Sequence, residues 1–286
     1  VHNRDIFQRI TIGSIVFWMS AFVLIPSLLM LITSFFTRGS ADFVTWTLTL
    51  QSYQKLLSAV YLWVFIKTLG LAFYVTLLCL IVAYPFAYWL SRSIHHLRVK
   101  HFLFILIIIP FWTSSLIRTY AMMAILKING LLNTVLLFLG WIDHPLELLY
   151  NGFAVTIGLV YSLFPFMVLP LYTAFERLDD SYIDAALDLG ANQWHLLTRV
   201  IIPLTQSGIA AGCIMVFLSS LGVFFIPELL GGSKDFLVGN LIKNQFLVAR
   251  DWPFGSAVSV CLTLLILGLS VIYGKTGKNL NKALLS

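Results

Sequence analysis

Six apolar runs, each long enough to cross a bilayer, leave this chain few ways to fold. They fall at about residues 10–35, 63–90, 102–125, 153–175, 204–230 and 254–274 of a 286-residue sequence. A helix needs roughly 20 apolar residues to span about 30 Å of hydrocarbon, and each run reaches that length. Charged residues make up only 10% of the chain, against about 25% in an average soluble domain. No water-facing surface can be built from so little charge, whereas lipid solvates Leu and Phe without penalty. The expected fold class is therefore an all-α membrane protein, with six transmembrane helices in one domain over 1–286. A seventh run, 131–142, is too short to cross and reads as an interfacial or re-entrant piece. The first run follows Arg4 and Arg9 as a signal peptide would. It is too long for the apolar core of one and lacks a small-x-small cleavage pattern, so it is kept as a span.

Six spans put both termini on one side. Ten of the Lys and Arg residues lie in the termini and in loops 91–101 and 176–202, against six in the three opposite loops. By the positive-inside preference the termini are expected in the cytoplasm. The formal charge of +6 follows from these anchors and needs no nucleic acid partner to explain it.

Several chemistries find no support. Cys79, Cys213 and Cys261 each fall in a different span, without metal-ligand spacing, and read as buried apolar thiols. No H-E-x-x-H helix, G-x-S-x-G elbow or intramembrane carboxylate pair is present. The run from Gly268 to Gly274-Lys275-Thr276 is one residue too long for a P-loop and closes a membrane helix instead of joining a strand to a helix. His95, His96 and His101 lie beside Arg98 and Lys100 with no carboxylate or thiol, as in a wet basic loop at a bilayer surface. The expectation is a chain that is no enzyme and binds no metal or cofactor of its own.

Loop 176–203 stands out by its sign. On the side where basic residues gather, it carries Glu176, Asp179, Asp180, Asp184 and Asp188 against Arg177 and Arg199. Acids at a membrane centre cost about 2.5–3.5 kcal/mol each, so the loop belongs in water or against a partner. Asp179, Asp180 and Ser181 are N-capping residues, and 182–189 has room for two helical turns. Gly190 supplies a left-handed close and Asn192 a second cap. The following helix sets Trp194, Leu197 and Ile201 on one side, and Pro203 opens the fifth span. Ala185 and Ala186 are small enough to let another surface approach closely. Acids on its first helix would repel DNA phosphate, so the pair of helices reads as a docking element for a cytosolic protein or as a solvated loop.

The spacing Asp184-Ala185-Ala186-x3-Gly190-x9-Val200-Ile201-Ile202-Pro203 resembles the EAA loop of ABC-importer permeases, Glu-Ala-Ala-x3-Gly-x9-Ile-x-Leu-Pro. Asp stands for Glu at 184, Val for Ile at 200 and Ile for Leu at 202. Further segments resemble the permeases of spermidine/putrescine importers: Pro110-Phe-Trp-Thr-Ser-Ser-Leu-Ile-Arg-Thr-Tyr120, Leu230-Gly-Gly-Ser-Lys-Asp235, Gly239-Asn240-x-Ile242 and Asp251-Trp-Pro-Phe-Gly255. The resemblance implies a type I importer fold in a bacterial inner membrane and a heterodimer with a second permease. It further implies a homodimeric cytosolic ATPase that holds ATP and Mg, and a periplasmic substrate-binding protein. It makes Asp184, Ala185, Ala186, Gly190 and Pro203 the ATPase-coupling residues.

For the substrate path the sequence offers few candidates. A polyamine calls for carboxylates and aromatic faces. Glu228, after Phe224, Phe225 and Pro227, is the leading carboxylate, functional by its depth or a helix-end acid facing water. Asp251 with Trp252 opens the sixth span and either binds substrate or caps the helix. Trp112 and Tyr120 line the path or pack as ordinary membrane aromatics. Arg118, a cation within the third span, is expected to pair with an acid such as Glu228 or with backbone carbonyls. Pro85, Pro110, Pro165 and Pro170 interrupt helices, and Gly208-x3-Gly212 with Ala211 forms a close-packing face. A secondary transporter would instead show repeats and embedded coupling acids, and an importer of another small solute remains the nearer alternative.

Overall fold

The computed structural model describes residues 2–39, 44–94, 96–232 and 236–285, with side chains described over 11–39, 44–94, 96–232 and 236–271. His95, residues 233–235 and the side chains of Lys275 and Thr276, all part of the reading above, lie outside these. Helix α1 (His2–Met19) runs through a wide π turn, Ser20–Leu24, into α2 (Ile25–Thr33). A short hairpin, β1 (Phe36–Thr37) and β2 (Thr45–Leu48), leads to α3 (Gln51–Leu56) and the 30-residue α4 (Ala59–Tyr88). Then follow α5 (Leu97–Trp112), α6 (Ser115–Leu126), α7 (Leu131–Phe138) and α8 (Gly152–Glu176). Two short helices, α9 (Asp180–Asp188) and α10 (Gln193–Leu196), precede α11 (Ile202–Gly222), α12 (Val238–Leu247) and α13 (Trp252–Leu285). Among the described residues, six helical stretches are long and apolar enough to cross a membrane: 11–33, 59–93, 115–138, 152–176, 193–222 and 252–271.

The third stretch differs from the expected continuous helix over 102–125. Helix α5 stops after 16 residues and α6 begins two residues later. Thr113 and Ser114 between them are extended, with ψ of 148° and 131°. The Thr113 hydroxyl donates to the Pro110 carbonyl at 2.7 Å, a local bond that competes with the helical ladder. The fifth run also breaks. Helix α11 ends at Gly222, Val223 turns extended (ψ 123°), and the chain resumes as a wide turn over Pro227–Gly231, so 204–230 is not one helix. Two wide turns fall directly before a proline, Ser20–Leu24 before Pro26 and Leu197–Ile201 before Pro203. Loosening the ladder there relieves the clash between the proline ring and the carbonyl one turn back.

The chain forms two compact units. One comprises Val1–Trp63 and Leu241–Leu269. In it Phe254 is buried and stacks 4.8 Å from Tyr61, while Phe36 packs edge-on against Trp46. The other comprises Val64–Asn240 and Ser270–Ser286, and its core joins α4, α8 and α11. Val75, Cys79, Ala83 and Ala87 of α4 meet Leu159, Met167, Leu171 and Phe175 of α8, with Val216 of α11. Gly208 and Gly212 bring α11 onto α8: a side chain at Gly208 would meet Ala174 and the Pro170 carbonyl, the latter at 2.8 Å, and one at Gly212 the Met167 sulfur at 2.7 Å. Cys79 is buried, Cys213 and Cys261 half-buried, and all three are free thiols.

Candidate functional site

The acidic loop folds as its residues dictate. Asp179 caps α9 by accepting from the Ser181 amide at 3.0 Å, a bond that holds its carboxyl below the usual carboxylate range. Gly190 closes the helix at φ +78°, a conformation that a Cβ would strain. Asn192 caps α10 through the His195 amide at 2.8 Å. Helix α10 then passes through the wide turn Leu197–Ile201 into α11 without interruption.

This element has two faces. Ile183 and Ala186 turn inward and pack, with Leu197 and Val200, on the core below. Asp184, Ala185 and Asp188 are exposed, so of the two alanines only Ala185 faces outward. Around them stand large apolar side chains in the open: Tyr182, Leu187, Leu189 at 89% exposure and Trp194 at 70%. Trp194 therefore does not share a buried side with Leu197 and Ile201. Leu196 takes the inner position, because the wide turn shifts the helical phase behind it. Exposed Leu and Trp beside carboxylates form a surface suited to a partner protein, since lipid would not accept the acids and water gains nothing from the apolar groups.

The acids are met by the basic loop next to them in space, which the sequence did not reveal. Arg92, in the wide turn Trp89–Ser93 that ends α4, pairs with Asp180 and donates to the Leu178 carbonyl. Lys100 in the first turn of α5 pairs with Glu176. His96 and His101 are exposed, and no cluster of potential metal ligands occurs among the described residues.

The path candidates separate. Glu228 is exposed on the turn Pro227–Gly231, whose neighbours are α6 and α8. Ile226 and Leu230 are buried against Gly158, where a Cβ would lie 2.9 Å from the Ile226 methyl. Gly239 and Asn240, quoted above only for their resemblance, hold the break that presents Glu228. At Gly239 a Cβ would lie 3.3 Å from the Gly222 and Val223 carbonyls, and the Asn240 amide donates to the Phe224 carbonyl at 2.8 Å. The Phe224 carbonyl also accepts from the Glu228 amide at 3.2 Å, so Asn240 ties α12 to the first turn after the break. Tyr120 on α6 is exposed and Trp112, at the end of α5, is 83% exposed. Arg118 stacks over the Phe111 ring, 5.5 Å from its centroid, and its buried Nε has no hydrogen-bond partner, so an aromatic face takes the place of the expected carboxylate or carbonyls. Asp251 and Trp252 belong to the other unit. Asp251 is 7% exposed. It caps α13 through the Phe254 amide at 3.2 Å and holds the Lys55 ammonium at 3.1 Å, with that ammonium 4.2 Å from the Phe254 centroid. Trp252 is partly exposed and stacks on Phe246.

A mainly helical, multiply spanning chain with an exposed helix–glycine–helix element before its fifth span is built as a membrane permease. It belongs to the binding-protein-dependent transport system inner membrane component family, whose model matches residues 83–284. Among its relatives, the spermidine/putrescine transport system permease protein PotB of Haemophilus influenzae is 46% identical over 282 residues, covering 99% of this chain and 97% of that protein. PotB of Escherichia coli K12 is 46% identical over 271 residues, covering 95% and 98%. A more distant relative, the inner membrane ABC transporter permease protein YdcU of E. coli K12, is 30% identical and covers 78% of this chain and 74% of its own. A chain of a bacterial alginate ABC transporter crystal structure superposes with a TM-score of 0.79 at 15% identity, covering 98% of this chain and 96% of that one. That likeness shows the fold, which is that of an ABC-importer permease.

Proposed function

We propose that this chain is one of two permeases in an ATP-driven importer of polyamines such as spermidine and putrescine. The observation that carries the substrate class is the 46% identity, over nearly the whole of both chains, to proteins named for that transport. The second permease completes a heterodimeric path across the inner membrane, with the termini of this chain in the cytoplasm. A homodimeric ATPase binds ATP and Mg on the cytoplasmic side, and a periplasmic binding protein delivers substrate from the other.

In this scheme α9, Gly190 and the helix leading to Pro203 dock on the ATPase. Asp184 and Asp188 offer charge, and Leu189 and Trp194 offer apolar area. ATP binding favours one arrangement of the paired ATPases, and the docked element shifts the permease toward the state that fits it, by differential binding alone. Glu228 sits beside α6, which carries Tyr120, and supplies a carboxylate to a passing ammonium group. Trp112 and Trp252 present aromatic faces of the kind that cations prefer, and Asp251 keeps the start of α13 in place.

The test is ATP-dependent uptake of labelled spermidine into proteoliposomes holding this chain with its second permease, ATPase and binding protein. Uptake that disappears in Asp184→Arg, with the complex still assembled, supports both substrate and docking element. ATP hydrolysis without uptake discards the polyamine. Uptake without ATP sinks the importer.

A further inference from the structure

We infer that Arg92 and Lys100 are positioning residues of the transport cycle, which tie α9 to the adjoining ends of α4, α5 and α8 so that the four move together. The inference rests on the docking role proposed for α9. A helix of nine residues transmits nothing by itself. One end joins α8 through three residues, and the other turns at Gly190, which is free to swivel. A pull on α9 through its backbone alone is absorbed at those joints.

Arg92 bypasses them, and Lys100 locks together the helix ends on which Arg92 is seated. Arg92 reaches from the end of α4 with two donors, Nη1 to the Asp180 carboxylate at the start of α9 and Nη2 to the Leu178 carbonyl. A guanidinium bound through both forks fixes direction as well as distance, which a single point charge does not. Lys100 reaches from the first turn of α5 to Glu176, the last residue of α8. The same ammonium donates to the Ser91 carbonyl at 2.8 Å and lies 5.7 Å from the Tyr172 ring. Both cations sit at the carbonyl ends of α4 and α8, where the helix dipoles favour positive charge. Their own side chains are only 17% and 12% exposed, against 76% for Asp180 and 40% for Glu176, so the cations are held in place while the carboxylate ends of both pairs stand in water. A cavity of about 530 Å³ lies among these helix ends, bordered by Tyr88, Phe175 and Ile183. Ile183 and Ala186 of α9 pack on the core beside it, and the charged contacts add the fixed direction that apolar packing does not supply.

The test uses the complete reconstituted transporter and reads the number of spermidine molecules imported per ATP hydrolysed. In Arg92→Gln and Lys100→Gln, uptake is expected to fall about tenfold, the worth of one charge-assisted hydrogen bond, while ATP hydrolysis persists. Arg92→Lys, which keeps the charge beside Asp180 but not the two-pronged fork, recovers part of the ratio. Uptake and hydrolysis that fall in parallel, or an Arg92→Lys variant that assembles with the ratio of Arg92→Gln, overturns the inference. A second readout needs no substrate: the ATP-driven change in mobility of a spin label at Ser93 is expected in the parent and lost in Arg92→Gln, and its survival also overturns the inference. An Asp184→Cys variant of the otherwise unaltered complex that fails to cross-link to the ATPase removes the docking role itself. Cross-linking with an unchanged ratio in both glutamine variants removes the tie alone.

Discussion

Asp251 shows how one side chain serves two ends. Its carboxylate caps the amide of Phe254 and holds Lys55, while nearly all of its surface is hidden. Asp251→Ala loses cap and pair and is expected to cost about 1–2 kcal/mol, read as a lower melting temperature of the purified complex. Asp251→Asn keeps a capping oxygen. It loses only a pair whose lysine is half in water, so its cost stays below about 1 kcal/mol. Equal losses in the two variants would assign the stabilisation to charge instead of capping. Glu228 is the contrasting acid, exposed on a turn beside a break. Glu228→Gln is expected to lower spermidine uptake with assembly unchanged, and uptake at the parent rate would take Glu228 off the path.

At the scale of elements, the contact between α8 and α11 decides the packing of the larger unit. Gly208 lies against Ala174, and a Cβ there would fall 2.8 Å from the Pro170 carbonyl oxygen, inside contact distance. The carbonyl belongs to a helix backbone and cannot swing aside. Gly208→Val is expected to destabilise the complex by about 1–3 kcal/mol through overpacking, checked by thermal unfolding in detergent. Helix interruptions are the other element-scale feature. Breaks at 113–114 and 223–224 leave backbone groups without intrahelical partners, and a membrane tolerates these only beside protein or water. At the second break Asn240 adds a donor to the Phe224 carbonyl, and Gly239 leaves room for α12 to pack against it.

The whole molecule is a membrane protein with few charges to place. The acidic loop 176–203, anomalous beside the positive-inside preference, is met by Arg92 and Lys100 of the neighbouring basic loop, which pair with Asp180 and Glu176. The two loops together are close to the balance expected of a wet surface. The termini are expected on that same side. A fluorescent protein fused after Ser286 should then fluoresce, and alkaline phosphatase fused there should stay inactive; the reverse pattern would invert the topology.

The linear sequence determined the number of spans and the two capped helices of the acidic loop, because these depend on run length and on contacts within a few residues. Asp179, Gly190 and Asn192 act on amides and dihedrals one to three positions away, so their roles could be read directly. The breaks in the third and fifth runs escaped notice because hydropathy registers composition and is blind to a ψ angle: Thr113, Ser114 and Val223 are as acceptable in a helix as out of one. Trp194 and Leu196 exchanged places for a related reason, since a wide turn changes helical phase without changing a residue. Only the tertiary structure could bring Arg92 to Asp180, 88 positions along the chain, or Lys55 to Asp251, 196 positions away. Such partners are chosen by the packing of whole helices, and no local spacing encodes them.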